Sequence, residues 1–420
     1  MGPTGGFLNT DSAELLETRL FLEEICCDLC RFQHSAEDGV APEDIRIRQE
    51  VDLGIPGAFA DIQVHVPGCR PYFIEVKWGY DPEQLVELIA RKYSASTPVL
   101  REAAKLILLA DTDAYEGWPD TEAEIRSRVN PALPLEVWGF ETLRGLVRKN
   151  FQIDVDRFER EHLLDIRSAI ELMKGRYAFG DQYTGSALQS SLIWHFSFWG
   201  VRRIREARQL ACDAILPPGL YREVAVVIAD LTSFSSYVRD TRDQSVVRYI
   251  LTSFYTKARR QVINSRGMLS QFVGDAVIAI FGVPESWHSY ADDALECATA
   301  LMDIGCSISH DWQRRIDQVQ RSGGCHIGIA VGDLHVVPLR AFSRSHMGVV
   351  ADAVNMASRL SSAAAPREIV VSNGLFQRLS KTSQKQFSEM EPVEARNIGL
   401  LQAWKLGARG TSTSAHGTVG

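Results

Sequence analysis

The run EVAVVIADLTSF (223–234) constrains this chain more than any other segment. Six consecutive apolar residues, three of them valine, lead directly into a carboxylate, Asp230. An unbroken β-branched run of this kind is a strand signal. Just upstream, Pro217-Pro218-Gly219 ends any preceding helix and marks a domain boundary. Further along, QFVGDAVIAIFG (271–282) reads as two short strands about a tight turn. Gly274 tolerates the backbone that a two-residue hairpin demands, and Asp275 stands at the tip. A carboxylate at a strand end and another at a hairpin tip converge when their strands are neighbours. Such a pair can hold divalent cations.

The bulk numbers exclude several classes. With 420 residues, 45% of them hydrophobic and 23% charged, the chain supports two or three packed domains. A net charge of −8 argues against a protein built to coat nucleic acid. Eight cysteines are too sparse for a disulfide scaffold, and no signal peptide opens the chain. Cys26, Cys27 and Cys30, followed by His34, imitate a metal cluster. They sit in a helical run, LEEICCDLCRF, with no second Cys pair, so they read as small core residues. The longest apolar stretch, SLIWHFSFWGV (191–201), is too short to span a bilayer. A cytoplasmic protein with no membrane contact is expected.

Three pieces follow along the chain. Residues 1–152 alternate helices and strands: a helix near 12–33, strands at 45–54, 59–66 and 71–79, helices at 82–92 and 98–106, the strand LILLAD, the strand PLEVWGF and a last helix at 141–151. This is an α/β or α+β pattern. Residues 153–220 carry helical spacing in HLLDIRSAIELMKGRY and from Ser186 to Ile215, and form a helical connector that helps dimer formation. Residues 221–406 form the domain with the two carboxylates. The tail, 407–420, is small and polar and is expected to be disordered.

Four motifs stand in order across the third piece: IADLTSF, FVGDAVIAIFG, CHIGIAVGD and VADAVNMASRL. Together they resemble the class III adenylyl and guanylyl cyclases. The resemblance implies a ferredoxin-like βαββαβ core that pairs head to tail, each active site drawing on both subunits of a homodimer. It implies that Asp230 and Asp275, with the backbone carbonyl of Leu231, hold two divalent ions (Mn²⁺ or Mg²⁺) beneath a nucleoside triphosphate. Asn355 and Arg359 fill the NxxxR positions. Four residues apart, they share one helix face; by the resemblance Asn355 orients the ribose and Arg359 stabilises charge on the α-phosphate. The family's triphosphate-binding Lys has no counterpart in VEARNIGLLQAWKL, where Arg396 is the substitute. The loop of Thr232, Ser233 and Phe234 offers backbone N–H groups to the phosphates.

Base choice in this family rests on two positions, occupied here by Gln271 and Gly348. Neither matches the adenine or the guanine pattern. Gln both donates and accepts, which suits the edge of uracil or cytosine. Loss of a side chain at Gly348 removes a contact to the far edge of a purine. The domain thus resembles the pyrimidine cyclases of bacterial anti-phage signalling. These make cyclic UMP or cyclic CMP for a product-binding effector, and UTP is favoured here over CTP. The competing readings are an adenylyl cyclase with an atypical base pocket, and a nucleic-acid-processing enzyme merely dimerised by a cyclase-like domain.

That last reading draws on GAFADIQVHVPGCRPYFIEVKWG (57–79), which resembles the PD-(D/E)xK nuclease superfamily. Glu75 and Lys77, two apart on a strand, share a face. The resemblance implies that Asp61 joins them around Mg²⁺, with Lys77 near an attacking water and Glu50 as a further ligand.

Overall fold

The computed structural model describes residues 10–114, 117–156, 158, 160–285, 288–316, 322–339, 347–395 and 399–407. Arg396 and all but the first residue of the 407–420 tail lie outside them.

The N-terminal unit is built on a five-stranded sheet in the order β1 (Arg46–Ile55), β2 (Ala58–His65), β3 (Tyr72–Lys77), β4 (Leu106–Ala110), β5 (Leu135–Trp138). β1–β2 and β2–β3 pair antiparallel, β3–β4 and β4–β5 parallel. One face is covered by α1 (Thr10–Glu37), which brings Leu22, Ile25 and Leu29 against Ile62, Ile74 and Ile107. The other face is covered by α2 (Pro82–Tyr93), with α3 (Pro98–Arg101) and α4 (Trp118–Arg128). The helix expected at 98–106 is only the single turn α3, because Leu106 already enters the β4 ladder. α4 had no expectation. Its apolar residues are few, and only Trp118 and Ile125 are buried.

The β1–β2 ribbon has a local irregularity that matters later. Ile45 and Ile47 bury on the α1 face, yet Val51 and Leu53, of the same parity, bury on the α2 face. The change occurs at Glu50, whose φ of 53° lies in the left-handed region. Flanking pairs Gln49↔Ile62 and Val51↔Ala60 leave Glu50 opposite Asp61.

The connecting helices are not a free linker. After α5 (Phe140–Phe151), α6 (Arg160–Phe179) packs Leu163, Ile166 and Ile170 into the first unit. α7 (Ala187–Phe196) and α8 (Phe198–Arg208) instead pack Leu192, Phe196, Trp199 and Ile204 onto the second sheet. The continuous helical theme expected from 186 onward breaks at Ser197 (φ 89°), which caps α8 through its hydroxyl to the Gly200 N–H at 3.1 Å.

The second sheet has eight strands: β12 (Ser388–Ala395), β13 (Gly399–Leu406), β11 (Glu368–Ser372), β9 (Cys325–Pro338), β6 (Gly219–Leu231), β8 (Ala276–Phe281) and β7 (Met268–Val273) in order, with β10 (Met347–Val350) pairing β9. Along β6, Ala225, Val227 and Ala229 pack beneath α10 (Gln244–Asn264) and α11 (Tyr290–Ile316). Val224, Val226 and Ile228 face the opposite side, with α12 (Asp352–Ala363), α7 and α8. Two-residue alternation therefore places Asp230 on the α12 side.

Candidate active site

Asp230 pairs with Ala276 across the β6–β8 ladder, so it lies next to the residue that follows Asp275. The β7–β8 hairpin closes through Val273↔Ala276, with Gly274 (φ 60°) and Asp275 as its two turn residues. The Leu231 N–H reaches back to the Asp275 carbonyl at 3.4 Å. The strand end and the hairpin tip are thus brought side by side, close enough for each carboxyl group to act on the other. Burial, then the charge of Asp230, push the Asp275 carboxyl up to about 7. Two carboxylates this close are short of positive charge, and a divalent cation supplies it. The donor set fits such an ion through Asp230, Asp275 and the adjoining Leu231 backbone. Among the described residues, no group of three or more His, Cys, Asp or Glu side chains is arranged so that it could hold a metal ion.

The turn after Asp230 differs from expectation in part. The Thr232 N–H is already committed to the Gly324 carbonyl at 2.9 Å, and Thr232 is only 2% exposed, so it has no amide to give a phosphate. Ser233 sits in the left-handed region (φ 62°), and its hydroxyl bonds that of Ser322 at 2.9 Å. Phe234 opens the short helix α9 (Phe234–Asp240) and packs edge-on against Trp312.

Gln271 and Val273 alternate with Phe272, whose ring lies 4.5 Å from that of Tyr255 on α10. Gln271 therefore faces the α12 side, as Asp230 does, and is exposed. Gly348 pairs with Val337 across β9–β10. The nearest atoms that a Cβ there would meet belong to the Leu339 side chain, which is 70% exposed. Asn355 and Arg359 are exposed on one face of α12, while Ala353, Ala357 and Leu360 hold its other face to the sheet.

Asp61, Glu75 and Lys77 do come together, but not as an open metal site. Lys77 is ion-paired to Asp61 and lies 2.6 Å from Glu75. Lys92, from α2, reaches Glu75 at 2.9 Å and Asp61 at 3.6 Å, and the Tyr93 hydroxyl donates to Glu75. Glu75 is 0% exposed with both oxygens taken. Lys77 is spent on carboxylates rather than poised beside a water. Glu50 is ion-paired to Lys257 of α10 and accepts from the Ser307 hydroxyl at 2.6 Å. Sequence reading missed Lys92, Tyr93, Glu23 and Lys257. The available signal was a charged residue set among apolar neighbours on a helix, as in FLEEI and FYTKA.

The cysteine run behaves as core. Burial raises the Cys27 and Cys30 thiols to about 11 and about 12, and the His34 ring bonds Asp38 and Tyr72, not sulfur. Among the described residues, no helix is long and apolar enough to cross a membrane.

Residues 216–407 match the family described as the adenylate and guanylate cyclase catalytic domain. This part of the chain is a cyclase catalytic domain of the adenylyl and guanylyl type. An uncharacterized protein of Mycobacterium tuberculosis (strain H37Rv) is 29% identical over 180 residues, 42% of this chain and 30% of that protein. A second from the same strain is 29% identical over 177 residues, covering 42% and 31%. The chain thus spans under a third of the length of these relatives. Among solved structures, the adenylyl cyclase CyaB from P. aeruginosa matches with 18% identity and a TM-score of 0.40, over 47% of this chain and 98% of that one. The guanylate cyclase domain of RhGC from Catenaria anguillulae, in complex with GTP, matches with 21% identity and a TM-score of 0.36, over 46% and 100%.

Proposed function

We propose that the protein is a cytoplasmic nucleotide cyclase that converts a pyrimidine nucleoside triphosphate, UTP ahead of CTP, to its 3′,5′-cyclic nucleotide and pyrophosphate. The observation that carries cyclase chemistry is the adjacency of Asp230 at the end of β6 and Asp275 at the β7–β8 turn, with burial and the charge of Asp230 raising Asp275 to about 7. Bound divalent ions would lower the pKa of the ribose 3′-hydroxyl and balance phosphate charge. The chain's own part is to hold its two carboxylates on rigid strands and to keep the hairpin turn in place. The pyrimidine reading is supported by the exposed Gln271, which offers both a donor and an acceptor on the Asp230 side, and by the absence of a side chain at Gly348. A signalling product for antiviral defence, read by a separate effector, follows from the resemblance of these positions to the pyrimidine cyclases. Purified protein given each of the four NTPs with Mn²⁺ is expected to yield cyclic UMP as the main product by mass spectrometry. Predominant cyclic AMP overturns the base assignment and leaves the cyclase reading standing.

The working unit is a homodimer with shared sites. Asn355 and Arg359 are exposed on α12, and Val273, Leu339 and Val350 leave apolar surface 54%, 70% and 62% exposed. A partner copy supplies the missing half of each site and covers that surface. Mixing Asp275→Ala with Asn355→Ala protein is expected to restore about one quarter of wild-type activity, since half the dimers are mixed and each carries one intact site. No recovery, with mixed dimers verified, removes the shared-site arrangement.

The nuclease-like N-terminal unit acts as a regulator in this reading. Its carboxylates are neutralised by Lys77 and Lys92, and α10 and α11 wall off the approach that a duplex would need.

A further inference from the structure

The residues expected to form a nuclease centre open instead into a cavity of about 130 Å³ at the seam between the two units. One wall comes from α1, the β1–β2 ribbon and α2; the other comes from α10 and α11 of the cyclase domain. The hairpin tip seals one end: a Cβ at Gly57 would lie 2.5 Å from the His310 ring of α11.

Cationic side chains outnumber carboxylates along this lining by seven to four, and Glu75 directly behind adds only one more negative charge. The carboxylates are already answered. Lys257 pairs Glu23 and Glu50, Lys77 and Lys92 pair Asp61 and Glu75, and Arg314 and Arg315 pair Asp311. Arg19 and Arg91 have no carboxylate partner among the described residues. Arg19 donates to the Trp78 and Gly79 carbonyls at 2.6 and 3.0 Å and lies 3.9 Å over the Tyr80 ring. Burial holds its guanidinium below its usual value, with Arg315 acting in the same direction. A partly buried site with surplus guanidinium groups is completed by an oxyanion, and Arg matches phosphate oxygens well. The volume suits one phosphate group with little attached, since a cavity of about 150 Å³ holds a single benzene.

The far wall connects to catalysis. Lys257 lies on α10 two residues beyond Tyr255, and the Tyr255 hydroxyl donates to the carbonyl of Gly274, the residue before Asp275. A shift of α10 therefore pulls on the turn that carries a metal carboxylate.

We propose that the seam cavity binds a small phosphate-bearing anion, held by Arg19 and Arg91, and that occupancy is transmitted through α10 and Tyr255 to the Asp275 turn. This goes beyond the cyclase reading, because the site lies outside the catalytic domain's own cleft and its binding can be measured without turnover.

The test uses the full chain in metal-free buffer containing EDTA. Thermal melting is followed against inorganic phosphate and, separately, against a 5′-phosphorylated dinucleotide, with NaCl at matched ionic strength as the control. A rise in Tm with inorganic phosphate identifies free phosphate as sufficient; a rise with the dinucleotide alone identifies a nucleic-acid end. Arg91→Glu, an exposed position, is expected to weaken the responding anion by at least about tenfold. No rise with either anion, or a rise undiminished in Arg91→Glu, overturns the site. For transmission, the anion is expected to change the wild-type cyclase rate by at least about fivefold. Tyr255→Phe should keep the Tm response and lose the rate response; a rate response that survives in Tyr255→Phe overturns the route. Were the protein not a cyclase at all, the metal-free binding result would stand unaffected.

Discussion

Asp275→Asn is expected to abolish cyclic nucleotide formation and, at the same time, to raise the melting temperature of the metal-free protein. The loss of activity follows from removing half of the carboxylate pair. Metal ions supply several kcal/mol of transition-state stabilisation, so a fall of at least about a thousandfold is expected. The gain in stability follows from linkage. Burial and Asp230 raise the Asp275 carboxyl from an ordinary 3.8 to about 7, so between these values the folded state binds more protons than the unfolded one. The contribution of this group is therefore fully present below about pH 4 and is lost as pH rises through about 7. Asn cannot ionise and escapes the loss. Because Asp275 is only partly buried, solvent screening trims the effect to a few degrees in Tm. The gap between variant and wild type should be small at pH 5 and larger at pH 8. Added Mn²⁺ should close it by stabilising only the wild type. A variant that melts lower than wild type at pH 8 without metal would contradict the raised Asp275 carboxyl.

Lys257→Met is expected to cost about 3–5 kcal/mol of stability, the range for breaking a buried ion pair from one side. Lys257 is 6% exposed and belongs to the cyclase domain, yet both its partners, Glu23 at 3.1 Å and Glu50, belong to the N-terminal unit. Burial, opposed by Lys257 and reinforced by Asp61 and Glu50, raises the Glu23 carboxyl to about 7. Without the ammonium, two adjoining carboxylates remain buried and uncompensated. The triple replacement Glu23→Gln, Glu50→Gln, Lys257→Met should recover most of the loss, because the charges then disappear together. Urea denaturation of the three proteins measures this. A single-variant cost below about 1 kcal/mol would mean that water reaches the seam and screens it.

These two sites differ in how far they could be read from residues alone. Asp230 and Asp275 were legible because each is fixed by local rules: an apolar run that must be a strand, and a glycine that permits a two-residue turn. Their meeting needed only that the two strands be neighbours. The NxxxR spacing likewise puts Asn355 and Arg359 on one helix face, whatever surrounds it. Thr232 was misjudged because its amide is taken by Gly324, a residue far along the chain. The short helix at 98–101 was overestimated because strand pairing of Leu106 overrides local preference.

By itself, then, the amino-acid order determined the strand that ends at Asp230, the hairpin that carries Asp275, and the shared face of Glu75 and Lys77. These depend on periodicity and backbone geometry over a few neighbouring residues. Only the tertiary structure decided that Lys92 and Tyr93 would saturate Glu75, that Lys257 would cross the seam to Glu23 and Glu50, and that a cationic cavity would remain between the units. Contacts between residues hundreds of positions apart depend on how whole layers pack, and no short-range period records that.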